Sequence, residues 1–405
     1  MHKGVAKTLI ILAGAFAVSA LPAQDLSNYT SFTVDGKTVQ FHGFVSEGFA
    51  YSNDNNYLTM DTSQGSFFTD GGVNVSSQLT DRFRVGAQIY DRDIGHLTEW
   101  HPTLDWAVAD YRFKEWFGIR AGKVKTALGL FNETQDMESV HTWALLPQSV
   151  YPLDLRSRNL SHTGADIYGQ IGLRCAGSLD YTFYGGKRPN DTRDGIYYGW
   201  ASLGYPNTAF TGKMAGTDLR WNTPVTGLML GGSYAAIEDK YNFIDIANGP
   251  VPVAGTLTST TKWIASAYGD YSTGRWRFNG EYRRNFDKDW QVDPDPGQTD
   301  AWWYSDKGWF VSAVYQISKR LEVGTYHSRY YFDVHSSPIP TTHYIRDQVV
   351  TLHYMPTRYL SVKLEAHIMD GTGDIWASHG FYEVDNPNGL KPTTNMLVLR
   401  AGWNF

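Results

Sequence analysis

The chain has 405 residues, 42% of them hydrophobic and 15% aromatic, with a net charge of −6 and one cysteine. The single Cys175 excludes an intramolecular disulfide framework, and the acidic balance leaves no nucleic-acid footprint. At this length a soluble chain would normally divide into two or more domains, yet no linker, low-complexity tract or shift in composition interrupts this one.

At the N-terminus, His2, Lys3 and Lys7 precede an apolar stretch, Leu9–Ala20, followed by small residues. A basic start, a short apolar run and a small-residue exit make a secretory signal peptide, with cleavage expected after Ala20 or Ala23. The run falls short of the ~20 residues of a membrane-spanning anchor. Loss of Lys3 and Lys7 takes the net charge to −8. Residues 1–23 are therefore read as signal and 24–405 as one domain. About residues 24–37 precede the first strand, too few for a plug domain.

The first strand is expected near 38–51, although Phe41, Phe44, Val45 and Phe49 do not sort cleanly onto one face. Seven hairpin units and a final strand follow. Val73, Val75 and Leu79 turn at Thr80-Asp81 into Phe83, Val85, Ala87 and Ile89. Residues 103–112 turn at Phe113-Lys114-Glu115 into Phe117, Ile119 and Ala121, and Ala165–Ile171 turn near Arg174 into Leu179–Phe183. Ala215–Trp221 pass through Asn222–Val225 into Leu228–Tyr234, and Trp263–Tyr271 through Thr273-Gly274 into Trp276–Tyr282. Trp309–Ile317 turn at Ser318-Lys319-Arg320 into 321–332, and 344–355 turn at Pro356 into 357–370. The chain ends on Leu397, Leu399, Ala401, Trp403 and Phe405, all on one face.

Sixteen alternating strands, an even number, are expected of a transmembrane antiparallel β-barrel, whose lipid-facing and lumen-facing residues alternate. Short turns alternate strictly with long connections near 53–69, 92–102, 123–159, 188–211, 238–260, 286–303, 333–343 and 371–390. Short periplasmic turns opposite long extracellular loops produce that rhythm. Aromatics such as Phe83, Tyr111, Phe113, Trp116, Trp221, Trp276, Tyr315 and Tyr354 cluster beside the short turns, as an interfacial girdle requires. The expected location is the bacterial outer membrane, among lipid and lipopolysaccharide. The terminal Phe405 resembles the signature read by the barrel-assembly machinery of that membrane.

Sixteen strands leave an aqueous interior. The inward faces carry Arg84, Arg120, Arg220, Arg277, Arg283, Lys363 and Arg400, the expected pore-lining cations, with Asp218, Glu281 and Glu365 interleaved. These charges either pair and merely solubilise the lumen or form an anion-attracting path, and the interleaved acids favour pairing.

The longest connection begins Arg120-Ala-Gly-Lys-Val-Lys125-Thr-Ala-Leu-Gly-Leu-Phe-Asn-Glu-Thr-Gln-Asp136 and is less polar than a surface loop should be. With Leu145-Leu-Pro-Gln-Ser-Val-Tyr151 and Gly164-Ala-Asp-Ile-Tyr168-Gly, it resembles porins of Gram-negative bacteria, loosely the phosphate-selective and other anion-selective ones. The likeness of motif covers about residues 115–170. It implies that residues 126–150 fold inward and constrict the barrel and that Glu133, Asp136 and Glu138 face a basic wall. Related porins are homotrimers, but no interface signature is legible, so trimer and monomer both stay open. No dense lysine or arginine ladder accompanies the motif, so phosphate specificity is not implied.

Acids also cluster at Asp287, Asp289, Asp293, Asp295 and Asp300, and at Asp374, Glu383 and Asp385. Such residues can bind divalent cations but are more often solvated, so no metal and no cofactor is expected. No Gly-x-Ser-x-Gly elbow or regular histidine spacing among His42, His162, His327, His353 and His367 marks a catalytic site. The expected function is a water-filled channel for passive diffusion of small hydrophilic solutes or ions. A structural or adhesive barrel and a barrel enzyme are the alternatives.

Overall fold

The computed structural model describes residues 31–34, 36–98, 100–247, 251–292, 299–332, 339–373 and 379–405. The signal segment 1–23 lies outside them. The described strands form one antiparallel sheet in which each barrel strand pairs with its neighbours in sequence, and the last, Thr393–Asn404, pairs with the first, Lys37–Ser52. The sheet thus closes on itself. Two pieces, Thr299–Tyr304 and Lys307–Ser318, both pair with Trp276–Val292 and share one place in the wall, giving sixteen strands around the barrel. A short extra strand, Ser31–Val34, folds back on Lys37–Gln40 and was not foreseen.

Alternation along each strand separates the two faces. On Thr393–Asn404, Leu397 and Leu399 are exposed, whereas Met396 and Val398 are buried. Ile368 and Leu364 are exposed on Leu360–Asp370, whereas Lys363 and Glu365 are fully buried. Apolar residues thus point away from the barrel and charged ones inward, the reverse of a soluble fold. Near the short turns the outer rings touch in a chain: Phe83–Tyr111 at 6.2 Å, Tyr111–Phe113 at 4.6 Å and Phe113–Phe117 at 5.1 Å.

Two expected connections are wrong in extent. The strand Leu228–Asp245 runs well into 238–260, and Val253–Thr273 resumes only eight residues later. Trp276–Val292 likewise runs into 286–303. The cause is an inversion of polarity. Beyond Ile237, the exposed residues are Glu238, Lys240 and Asn242, and the buried ones are Asp239, Tyr241 and Phe243. These strands outgrow the apolar belt, so their outer face is polar. Their inner face packs Tyr241, Phe243, Phe210 and Leu257 against Trp200 and Tyr205 of the 188–206 connection.

That connection contains an unforeseen helix, Gly195–Ser202, capped by Asp194, whose carboxylate accepts from the N–H groups of Ile196 and Tyr197. The same inversion corrects the reading of Asp287 and Asp289: both are buried strand residues, not loop acids. Asp293, Asp295 and Asp374 lie outside the described residues.

Candidate pore and its loop

Arginine and lysine on the inner face need partners once water is displaced from them, because an uncompensated buried charge is costly. The 126–160 connection supplies most of those partners. Lys363 ion-pairs with Glu138 at 2.5 Å, and Arg220 with Glu133 at 2.8 Å. Arg277 donates to the Thr142 hydroxyl at 2.6 Å, Arg283 to the Val150 carbonyl at 2.7 Å, and Arg400 to the Ala144 carbonyl at 2.8 Å and to Asp70 at 2.7 Å. Acids on the wall take the opposite role. Glu365 accepts from the N–H groups of Ala144 and Leu145, both at 2.9 Å. Glu281 accepts from Leu130 N–H at 2.9 Å and from the Tyr151 hydroxyl.

The apolar residues of the segment meet the same wall. Leu128 packs among Tyr184, Met214, Ala235, Ile237 and Ile264. Trp143 packs on Val314, Tyr326 and Val349, and Leu130, Phe131 and Leu146 against Val150, Tyr151 and Phe310. Two inward glycines act as sockets. A Cβ on Gly324 would come within 2.8 Å of the Trp143 ring, and one on Gly402 within 2.1 Å of Glu138 Oε2. Only glycine lets the segment approach so closely.

The segment is also pinned internally. Asp136 accepts from Lys125 and Arg156, which both also bind Asp105. Burial opposes the Asp136 charge, but Arg156 and Lys125 overcome it and hold the carboxyl well below the usual carboxylate range. Burial likewise opposes the charge of Glu138, and Lys363 and Arg400 outweigh it, again lowering the pKa. At the segment's root, Thr126 Oγ1 lies 3.0 Å from His162 Nδ1, and His162 Nε2 lies 2.9 Å from Asp166. The order hydroxyl, imidazole, carboxylate is that of a nucleophilic triad, but all three side chains are buried. Here they fix where the chain leaves the wall.

Two of the expected pore-lining cations stand apart from these contacts. Arg84 is exposed on the inner face, and among the described residues its side chain's one hydrogen bond is to Ser76 Oγ at 3.5 Å. Arg120 pairs with Asp166 on the neighbouring strand at 3.3 Å. Both border a cavity of about 360 Å³, together with Gln88, Asp110, Glu133 and Asp136. The segment thus contacts the wall from Asn207 round to Asn404 and also Tyr90, Arg92, Asp105 and Lys125, while Arg84, Gln88, Asp110 and Arg120 border open space. Sequence reasoning named the cations but not this asymmetry. It also missed Arg156, Asp105 and Tyr151, because partners so far apart in sequence leave no periodic signal.

On the outer face, Glu47 lies between Val45 and Phe49, yet it is 9% exposed and accepts from the Thr69 hydroxyl at 2.5 Å. The first strand resisted sorting because of Phe44: Phe41, Val45 and Phe49 share the outer face, whereas Phe44 points inward beside Tyr90 and the cavity.

No family model and no curated protein sequence matches the chain. Among solved structures it is similar to the outer membrane channel DcaP of Acinetobacter baumannii, with a TM-score of 0.56 and 11% identity over 93% of this chain and 100% of that one. It is similar to Salmonella typhi OmpF in complex with daunomycin, at 0.56 and 10% over 93% and 100%. It is also similar to the anion-selective porin from Comamonas acidovorans, at 0.53 and 10% over 91% and 100%. At such identity the likeness is one of fold: the chain has the barrel fold of these channels.

Proposed function

We propose that the chain is a porin of the bacterial outer membrane, a water-filled channel for passive diffusion of small hydrophilic solutes or ions. The observation that carries this reading is the cavity bounded by Arg84, Gln88, Asp110 and Arg120 on the wall and by Glu133 and Asp136 on the loop. The outward apolar face supports a lipid setting, since charge there is costly. Segment 126–160 acts as the constriction: it is seated on the wall from Asn207 to Asn404, reaches across to Asp105 through Arg156, and leaves the passage beside Arg84 and Arg120. Charges of both signs face each other across the passage, an arrangement that orients polar solutes as they pass. Leader removal, passage through the barrel-assembly machinery and contact with lipopolysaccharide belong to the same reading.

The barrel works as a homotrimer in this account. Supporting this is the likeness of fold to OmpT of Vibrio cholerae, which has a trimer form. The test of function is swelling of liposomes containing the purified protein in neutral sugars of increasing size. Swelling should fall steeply with solute size. Liposomes no leakier than empty ones would refute the reading.

A further inference from the structure

A second cavity, of about 130 Å³, lies between the loop and the wall strands Val253–Thr273, Trp276–Val292 and Leu321–Tyr331. Its lining includes Asp287, Asp306, Tyr304, Phe332, Tyr330 and His379, and it is partly open. This volume holds several waters or one small organic molecule.

The polar groups of the lining are unevenly satisfied. Its four cations are all engaged: Arg158 with Asp194 at 2.8 Å, Arg188 with Asp239, Lys262 with Asp239 at 3.3 Å and with Asp287, and Arg283 with Glu281 at 3.1 Å. Its carboxylates are not. Asp287 uses Oδ2 for Lys262 and for the Tyr304 hydroxyl at 3.1 Å, and Asp306 uses Oδ2 for Asn285 at 2.8 Å. Among the described residues neither Asp287 Oδ1 nor Asp306 Oδ1 has a hydrogen-bond partner, although the two side chains are only 2% and 6% exposed. With Asp289, buried against Asp287 and Lys262, four basic side chains thus stand against six acids (Asp194, Asp239, Glu281, Asp287, Asp289 and Asp306), an excess of negative charge that a protonated His379 would not cancel.

Unmet acceptors and an unbalanced negative charge call for a donor-rich monocation. The remaining lining is aromatic: Tyr304 and Phe332 lie 5.4 Å apart, and Tyr330 stacks on His379 at 3.7 Å. Ring faces attract organic cations. A divalent metal would need six or more oxygen ligands, and among the described residues no group of three or more histidines, cysteines or acids is placed to hold one.

We propose that this cavity is a binding site for a small organic cation bearing a primary ammonium group, which donates to Asp287 Oδ1 and Asp306 Oδ1. The site lies away from the Arg84 cavity, so it holds such solutes beside the passage.

Calorimetric titration of the purified, folded barrel in excess sodium chloride tests this without any channel current, so it stands or falls apart from the conductance. Ethanolamine should bind saturably with one site per chain, whereas ethylene glycol, equal in size but neutral, should give no saturable heat. D287N and D306N, which keep the side-chain shapes, should each weaken ethanolamine binding about tenfold, with heat-modifiable migration confirming that the barrels are folded. Equal heats from the two probes would overturn the proposal, as would unchanged affinity in both variants. Stoichiometric displacement of ethanolamine by calcium would also overturn it, in favour of an inorganic site.

Discussion

Lys363, fully buried on the inner wall, spends all three of its donors on the loop: Glu138 Oε1 at 2.5 Å, the Glu138 carbonyl at 2.6 Å and the Trp143 carbonyl at 3.0 Å. An ammonium has three N–H groups and no more. One wall residue thus satisfies its whole hydrogen-bonding capacity by holding residues 138–143 in place.

Replacing Lys363 with Met leaves Glu138 buried without its main counter-charge. Breaking one half of a buried pair costs about 3–5 kcal/mol, so K363M should lower the urea midpoint of unfolding followed by heat-modifiable migration. The double variant E138M/K363M removes both charges and should recover much of that loss. Additive losses in the double variant would show that the two residues act independently.

Acid should loosen the same seat through His141. Its ring is buried, with Nε2 2.8 Å from the Thr134 carbonyl, and burial pushes its pKa down to about 4, with Lys363 and Arg277 adding to the effect. An unfolded histidine titrates near ~6.5. The seat's stability is therefore intact above that pH and is lost as pH falls towards 4, by on the order of 3 kcal/mol for a shift of this size. Asp136 stays charged across the window, its carboxyl held well down by Arg156 and Lys125 against burial, and Lys363 and Arg400 hold the Glu138 pKa below its ordinary value. Open-channel noise should rise between these pH values, and H141Q should flatten the profile. An identical profile in H141Q would assign the effect to another group.

Selectivity should follow exposure rather than mere inward orientation. Arg84 faces open space, whereas Arg283 is buried against Leu128, Val150 and Glu281. R84E should shift the reversal potential under a salt gradient towards cations, most strongly at low ionic strength. R283E should instead reduce the yield of folded protein. A selectivity shift from R283E with normal folding would reverse this assignment.

The terminal aromatic should matter for closure. Phe405 N–H donates to the Gly43 carbonyl at 3.0 Å, and its carbonyl accepts from Gly43 N–H at 3.2 Å. Its ring occupies the space above Gly43, where a Cβ would come within 2.5 Å. Deleting Phe405 removes the last rung joining the final strand to the first and should cut the yield of folded barrel while leaving export intact. Undiminished folded protein in the outer membrane would show that the rung is dispensable.

The barrel was legible in the sequence because period-2 alternation repeats in nearly every strand, as in Val362, Leu364 and Ala366 against Lys363 and Glu365. Alternation failed where it changed sign, as at Tyr241 and Phe243, where the strand leaves the apolar belt and polar residues turn outward. The site was only half legible. Arg220, Arg277, Arg283, Lys363 and Arg400 could be placed inward by register, but nothing local told them from Arg84. Their partners Glu133, Thr142, Val150, Glu138 and Ala144 lie 87 to 256 residues away in sequence, and only the folded loop separates engaged cations from free ones.

The central claim is that the chain is an open channel whose narrowest section is set by the loop seated on Lys363 and Glu365. Single-channel recording in planar bilayers tests it most directly, comparing the natural chain with a variant in which residues 137–147 are replaced by a short Gly/Ser linker. The natural chain should give discrete, ohmic steps, and the variant should give larger ones, because the narrowest cross-section sets the resistance. Absence of steps from the folded natural chain, or equal conductance in the two proteins, would contradict the account.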